Sequence, residues 1–328
     1  MENKTLDIAG IVDLASAYYG SAVLFAAIDA GIFEKVEKGG LDVSKRGVRL
    51  LADACAAIGL LSKERGVYSN TPAGKMALVP GSPADLTGAI RYNRDVYPVW
   101  GRLAEFAATG RPAERPQLHL GEDPARTRVF AESMFSRAMG IGRGIVPMLG
   151  SLKGRLLDLA GGPGAYAILA CRANPDLSAV TIDLPAISSI AAEKVSAAGL
   201  SGRIECRSGD WHALQVEEDA YDCATIFGAL HQESPDSIRA ILKSAAAALK
   251  PGGTLCVLDM MTDETRTSPR FSALFALNMA LTAENGWVFS DAELKEWMRE
   301  AGLEPGETRA APPPMPHWLV SARKPLGI

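Results

Sequence analysis

The sequence predicts an α/β protein in which a small, mainly helical N-terminal domain precedes a larger, doubly wound α/β domain. Three observations carry this reading. Arg155 to Leu184 reads as a strand, a glycine turn, a helix, a second strand and a closing acid, which makes one βαβ unit. From there to Met260 short apolar runs keep alternating with helical periods. Ahead of it, Ser44 to Pro72 reads as an amphipathic helix followed by a strand, a charged turn and a strand, the pattern of a winged helix.

In chain order, residues 8–33 predict a helix rich in alanine and punctuated by Gly10, Gly20 and Gly31. A helix this apolar has to be buried, and a small domain offers little to bury it in, so a second subunit is expected to cover it. Asp13 and Asp29 interrupt the apolar run, which is therefore read as neither a signal segment nor a membrane span. The amphipathic helix carries Val48, Leu51, Cys55 and Ile58 on one stripe. Lys45, Arg46, Arg49, Lys63 and Arg65 gather around it, but Asp42, Asp53 and Glu64 dilute the charge. Only residues 38–43 separate Glu37 from this helix. A winged helix clipped in this way reads as a packing module rather than a DNA reader.

Gly110 to Arg126 is rich in Pro, Gly and charge and marks a joint, giving expected domains of residues 1–115 and 116–328. His119 lies within it as a loop histidine. The next helix, Arg126 to Leu149, carries Phe130, Met134, Phe135 and Met139. They are either core or the wall of a pocket, since the helix leads directly into the glycine turn. Beyond Asp183 follow a helix to Ala198, a strand at Arg203–Arg207, a strand at Asp222–Leu230 and a helix at Pro235–Leu249. A turn at Lys250–Gly253 then leads to a strand at Thr254–Met260. The tail holds a helix at Asp291–Ala301 and two strands that read as an antiparallel hairpin.

Composition narrows the function. With 48% hydrophobic and 22% charged residues, the chain is that of an ordinary soluble globular protein. A net charge of −4 argues against a general nucleic-acid binder. The five cysteines are scattered with no Cys-x-x-Cys, so no disulfide framework is expected and a reducing cytoplasm fits.

The glycine turn, Gly161-Gly162-Pro163-Gly164, opens a helix whose first amides are unpaired, a place for a carboxylate or phosphate. Asp183, one strand later, offers two acceptor oxygens to a ribose diol. Read from Gly162, the turn is Gly-x-Gly-x-x-Ala (Gly162, Gly164, Ala167), a passable dinucleotide fingerprint. Read from Asp158, it is Asp-x-Ala-Gly-Gly-Pro-Gly, which resembles motif I of class I S-adenosylmethionine (SAM) methyltransferases and gives Asp158 a part. Asp210-Trp211 ends a strand on the same edge, where a carboxylate can accept from an adenine amino group and an indole can cover the purine. A plain strand-end acid is the alternative.

His231 follows the run Ala224–Leu230 and lies above the crevice. An imidazole there can take a proton from a hydroxyl as its oxygen attacks, and Asp259, ending the neighbouring strand, can fix the tautomer. Asp263 to Phe289 is an insertion whose Phe271, Phe275, Met279, Trp287 and Phe289 exceed the needs of a solvated loop. It packs against the N-terminal domain or roofs a flat aromatic pocket.

The run LHQESPDSIRAILKSAAAALKPGGTLCVLDMM resembles the C-terminal half of the caffeic-acid-type O-methyltransferases of plants and their bacterial relatives. The resemblance covers most of the chain. It implies a winged-helix-like dimerisation domain followed by a Rossmann-like domain, with a mostly parallel seven-stranded sheet and an antiparallel terminal hairpin. It further implies His231 as base and Asp259 as its support, with Asp158, Gly161, Gly162, Gly164, Asp183, Leu184, Gly209, Asp210, Trp211 and Phe227 around the cofactor. The substrate pocket is expected to draw on Phe130, Met134, Phe135, Met139, Phe275, Met279 and Trp287. The chain departs from the family in three places. Ala160 replaces the first glycine of the loop, Gln232-Glu233 replaces Asp-Trp after the histidine, and residues 285–289 lack the second acid of plant members. Glu284 falls one helical turn early for that role. The expectation is a metal-free, homodimeric, SAM-dependent methyltransferase acting on a hydroxyl of an aromatic or polycyclic small molecule, without nucleic-acid or membrane partners. A C-methyltransferase, a SAM-binding relative that transfers no methyl, and a winged-helix regulator sensing a nucleoside are the alternatives.

Overall fold

The computed structural model describes residues 5–113, 120–213, 216–313 and 315–327, so His119 lies outside the described residues. The chain divides into two compact units, residues 2–95 and 96–328. The division falls within a helix, ahead of the Pro- and Gly-rich stretch expected to mark it.

The N-terminal unit contains α1 (Ile8–Ser16), α2 (Tyr18–Asp29), α3 (Ile32–Glu37), α4 (Arg46–Ala57), β1 (Leu61–Glu64), β2 (Val67–Asn70), α5 (Pro72–Leu78) and the start of α6 (Thr87–Trp100). The single helix expected over 8–33 is three helices. The helical run is interrupted at Ala17, whose own backbone stays helical, and again at Gly31, whose φ of +64° is a conformation glycine adopts without steric cost. Asp7 caps α1 by accepting from the Gly10 amide at 2.8 Å. The β1–β2 hairpin turns through Arg65 and Gly66, both left-handed, as a two-residue hairpin loop requires. Asp53 of α4 accepts from Tyr68 of β2 at 2.7 Å, tying helix to hairpin. Ala27, Ile28, Ile32, Phe33, Ala52, Cys55, Leu61 and Leu78 form this unit's core. By contrast, α1 contributes no buried residue. The span Ile8–Asp29 is long and apolar enough to cross a membrane by length and composition alone.

The C-terminal unit continues with α7 (Leu103–Thr109), α8 (Pro124–Ile145), β3 (Gly154–Leu159), α9 (Ala165–Ala173), β4 (Leu177–Asp183), α10 (Pro185–Ala197), β5 (Ile204–Ser208) and β6 (Tyr221–Phe227). After these come α11 (Pro235–Ala248), β7 (Leu249–Asp259), α12 (Arg270–Thr282), α13 (Asp291–Glu300), β8 (Glu304–Ala310) and β9 (Trp318–Arg323). One sheet runs β5-β4-β3-β6-β7-β9-β8. Its first five strands are parallel, and β9 lies antiparallel between β7 and β8, the expected terminal hairpin. Strand order reverses between β3 and β6, which opens a crevice at the carboxyl ends of those strands. β3 and β6 are mostly buried, Leu156, Leu157 and Leu159 on the one and Ala224, Ile226 and Phe227 on the other, as central strands of a parallel sheet are.

Two boundaries differ from the sequence reading. The turn expected at Lys250–Gly253 belongs to β7, whose register against β6 slips between Tyr221/Leu249 and Cys223/Thr254 to absorb it. β6 stops at Phe227 rather than Leu230, and Gly228 (φ +67°) redirects the chain into a 3-10 turn at Leu230–Gln232.

Candidate active site

The glycine turn is shaped from beneath. The Asp158 carboxylate lies buried at the end of β3 and accepts from Thr225 at 2.7 Å and from Thr181 at 3.3 Å. Burial pushes its carboxyl up to about 6, against the two hydroxyls that lower it. A Cβ on Gly161 would stand 2.0 Å from the Thr181 hydroxyl and 2.4 Å from Asp158, so only glycine fits. Gly162, in contrast, is left-handed and would meet nothing within 4 Å, which leaves its backbone open to a ligand. Its amide donates to Asp183 Oδ2 at 2.8 Å, and the Leu184 amide donates to Oδ1 at 2.8 Å. Burial still raises the half-buried Asp183 carboxyl, which keeps acceptor sites for a further pair of donors. The Gly209 amide bonds to the Asp183 carbonyl at 3.0 Å and brings the end of β5 alongside.

Asp210 is exposed and engaged by a residue the sequence reading passed over. His212 Nδ1 lies 2.6 Å from Asp210, and Nε2 lies 2.8 Å from Glu233, which is buried. Burial pulls the His212 imidazole down, but the two carboxylates outweigh it and its pKa is raised. The signal was present in the sequence as His212 beside Asp210-Trp211 and Glu233 beside His231. Nothing local showed that these two loops meet. Trp211 packs against the main core and, with Ser237, Ala240, Ile241 and Ser244 of α11, lines a shallow pocket.

His231 is 5% exposed and Asp259 is fully buried. His231 Nδ1 lies 2.6 Å from Asp259 Oδ1, which also accepts from the Met260 amide at 2.8 Å. Asp259 Oδ2 takes the His231 backbone amide at 3.3 Å. With Nδ1–H held by a carboxylate, Nε2 carries the imidazole lone pair. Phe275 of α12 sets its ring edge-on to His231 at 5.2 Å. The Trp287 amide donates to the His231 carbonyl at 3.0 Å, and its indole N–H donates to the Glu233 carbonyl at 2.7 Å. Met279 is buried in the same small cluster as Phe275 and Met260. The insertion thus lies against His231 through the Phe275 ring and the Trp287 amide.

Phe130, Met134, Phe135 and Met139 of α8 divide. Phe130 and Met134, four residues apart, share one helical face and are half-buried. Phe135 faces elsewhere: it packs with Leu156, Ala167 and Ile168 under the Lys194 ammonium, so it is core rather than pocket. Met139 lies opposite the Phe130 stripe by helical phase. Phe227, at the end of β6, meets the Tyr166 ring edge-on at 4.9 Å.

Residues 109–304 match the O-methyltransferase domain and residues 12–80 the O-methyltransferase dimerisation domain. This chain belongs to the O-methyltransferase family. It is 31% identical to 3-hydroxy-5-methyl-1-naphthoate 3-O-methyltransferase of Streptomyces sahachiroi, covering 96% of this chain and 94% of that one. It is 30% identical to the tetracenomycin polyketide synthesis 8-O-methyl transferase TcmO of Streptomyces glaucescens, with 96% of each chain covered. The crystal structure of human N-acetylserotonin methyltransferase in complex with SAM superposes with a TM-score of 0.86 at 24% identity, over 99% of both chains. The protein is a SAM-dependent O-methyltransferase. The open backbone at Gly162, the remaining acceptor sites of Asp183 and the exposed Asp210 carboxylate suit the carboxylate, ribose and adenine ends of that cofactor.

Proposed function

We propose that the protein methylates a hydroxyl of an aromatic or polycyclic small molecule, with His231 as general base and Asp259 as its positioning residue. The observation that carries this is the 2.6 Å contact between His231 Nδ1 and the buried Asp259 carboxylate, which leaves Nε2 to accept a proton. When bound, SAM supplies an electrophilic methyl on its sulfonium. His231 takes the hydroxyl proton as the acceptor oxygen attacks, and Asp259 stabilises the imidazolium that forms. Phe275 and Trp287 keep the ring in place and water away from it. Asp158, Gly161, Gly162, Gly164, Asp183, Leu184, Gly209, Asp210, Trp211 and Phe227 surround the cofactor in this reading. Phe130, Met134, Phe275, Met279 and Trp287 supply the apolar surface for the acceptor.

The test is the pH profile of single-turnover methyl transfer to a phenol. His231→Ala lowers the rate by about 10²–10⁴-fold near pH 7 while SAM affinity stays within about twofold. Asp259→Asn costs less, because it misorients the base without removing it. Wild type and His231→Ala converge as the pH approaches the pKa of the phenol, about 10. A loss that stays equal at every pH assigns His231 a structural part and refutes the base.

A further inference from the structure

One imidazole joins the loops that follow β5 and β6. His212 Nδ1 lies 2.6 Å from Asp210 Oδ1, which also accepts from the His212 amide at 3.0 Å, and His212 Nε2 lies 2.8 Å from Glu233 Oε2. Glu233 Oε2 accepts from the Ser237 hydroxyl at 2.6 Å as well, and the Glu233 carbonyl accepts from the Trp287 indole at 2.7 Å. Both ring nitrogens of His212 therefore face carboxylate oxygens. A neutral imidazole carries one N–H, so one of the two contacts would set a lone pair against an oxygen; only imidazolium donates to both. The charges around the ring agree with this geometry. Burial lowers the His212 pKa, but Glu233 and then Asp210 more than offset it and raise it above its ordinary value. The Asp210 carboxyl is lowered, first by the His212 amide. Among the described residues, Asp210 from its own turn and Glu233 from the loop after β6 are the titratable groups that face the ring. The α11 residues of the shallow pocket beside it, Ser237, Ala240, Ile241 and Ser244, are uncharged, and the Trp211 ring stands edge-on at 6.0 Å.

Glu233 stands where the family carries tryptophan after its histidine, so this bridge is not part of the shared motif. Both bonds to Asp210 fall on Oδ1, which leaves Oδ2, to which nothing among the described residues donates, for a further donor. We propose that protonated His212 is a positioning residue for the cofactor: by clasping Asp210 to Glu233 it holds the adenine-binding carboxylate and the loop of His231 in the arrangement that binds SAM. The inference rests on the reading that places adenine at Asp210 and adds a residue to it; the acceptor and the chemistry of His231 have no part in it. A ring whose pKa the clasp raises keeps the clasp whole below the ordinary imidazole value of about 6.5 and loses it as the pH rises through the raised value. Cofactor affinity therefore falls toward alkaline pH, and by reciprocity a bound cofactor holds the proton on His212. About half of the His212 side chain is exposed, and solvent screening keeps the effect modest.

The test is the affinity for S-adenosylhomocysteine, measured by calorimetry from about pH 6 to about pH 9 on the full chain. The amino group of the ligand titrates alike with every variant, so the comparison between proteins isolates His212. Wild type loses about three- to tenfold in affinity across the window relative to His212→Gln, whose side chain does not titrate there. Glu233→Gln is the sharper variant. Its amide nitrogen donates to Nε2 while Nδ1–H donates to Asp210, so a neutral imidazole completes both contacts. It therefore follows the pH profile of His212→Gln within about twofold and binds more tightly than wild type at about pH 9. In wild type the His212 ring resonances, assigned by their loss in His212→Gln, titrate at a pKa about 0.5–1 higher with S-adenosylhomocysteine bound than without it, the same linkage read from the proton's side. A clasp that only braced the two loops would move stability and leave this pKa unchanged by the ligand. A wild-type profile parallel to that of His212→Gln overturns the proposal, as does a His212 pKa that the ligand does not raise. Asp210→Ala tests the underlying placement separately: binding as tight as wild type at about pH 6 would move adenine away from Asp210 and take the proposal with it, whereas weakened binding beside a parallel wild-type profile strikes the clasp alone. Methyl transfer is not measured, so failure of the hydroxyl reading leaves the result standing.

Discussion

Ala160 holds a φ of +50° at the mouth of the glycine turn, where the family carries its first glycine. A left-handed conformation costs an L-residue roughly 1–2 kcal/mol, and the gain in chain entropy on replacing alanine by glycine offsets part of it. Ala160→Gly is therefore expected to leave stability unchanged or to raise it by up to about 1 kcal/mol, read from chemical denaturation midpoints. A loss of more than about 1 kcal/mol would mean that the methyl packs usefully. Asp158 makes a pH-dependent prediction. Its folded-state value of about 6 lies above the unfolded carboxylate range near 3.9, so between those limits the folded chain holds a proton the unfolded chain lacks. Stability contributed by this group therefore falls as the pH rises from about 4 to about 6, by as much as roughly 3 kcal/mol. Asp158→Asn removes that slope, so its stability relative to wild type improves across the same window. A difference that stays constant from pH 4 to 7 would show that Asp158 is ionised throughout. Asp158, Asp183, His231 and Asp259 were all legible in the sequence because each ends a strand or follows one, where side chains converge on the crevice. His212 and Glu233 were not, because their contact joins the loops after two different strands.

At the scale of elements, the βαβ unit and the terminal hairpin were readable because glycine turns and β-branched runs state their own geometry. The boundaries that moved depend on neighbours instead. Lys250-Pro251-Gly252-Gly253 has turn chemistry, yet Leu249 and Thr254 on either side of it pair with β6, and Gly252 and Gly253 bond to the Lys324 backbone just past β9, so β7 runs through it as an irregularity. Residues 8–33 have helical composition throughout, and only the backbone freedom of Gly31 and the packing of Ile32 and Phe33 divide them. The helix α8 shows the same limit at finer grain. Its apolar residues were visible at helical spacing, but spacing alone could not assign Phe130 and Met134 to one face and Phe135 to the core beneath Lys194. Gly161 provides the element-scale test. The close approach of Thr181 and Asp158 means Gly161→Ala must displace the end of β3 or of β4, so it weakens SAM binding by about tenfold or more and destabilises the fold by about 1–3 kcal/mol. Isothermal titration and thermal unfolding read the two effects, and an alanine variant with wild-type values in both would mean that the turn relaxes without cost.

For the whole molecule, the exposed surface of α1 bears on assembly. Ile8, Ile11 and Val12 lie on one stripe at three- and four-residue spacing and are 83%, 58% and 64% exposed, although the unit's own core needs none of them. An apolar stripe of this kind on a segment that matches a dimerisation domain from residue 12 onward fits an interface with a second copy of the chain. The two halves of the 8–33 segment then have separable parts: α1 for association, and Ala27, Ile28, Ile32 and Phe33 for the fold of the unit. Removing residues 8–33 entirely takes both away and should give an aggregating or unfolded chain. Placing charges on α1 alone takes away only the first. Ile11→Asp with Val12→Asp sits on exposed positions, so it leaves the isolated unit within about 1 kcal/mol of its original stability. In an apolar interface the same two carboxylates must be desolvated, at several kcal/mol in total, and the dimer dissociates at concentrations where wild type stays associated. Sedimentation velocity at micromolar protein distinguishes the cases. A doubly substituted chain that is folded and monomeric supports the assignment, whereas one that remains as dimeric as wild type removes α1 from the interface.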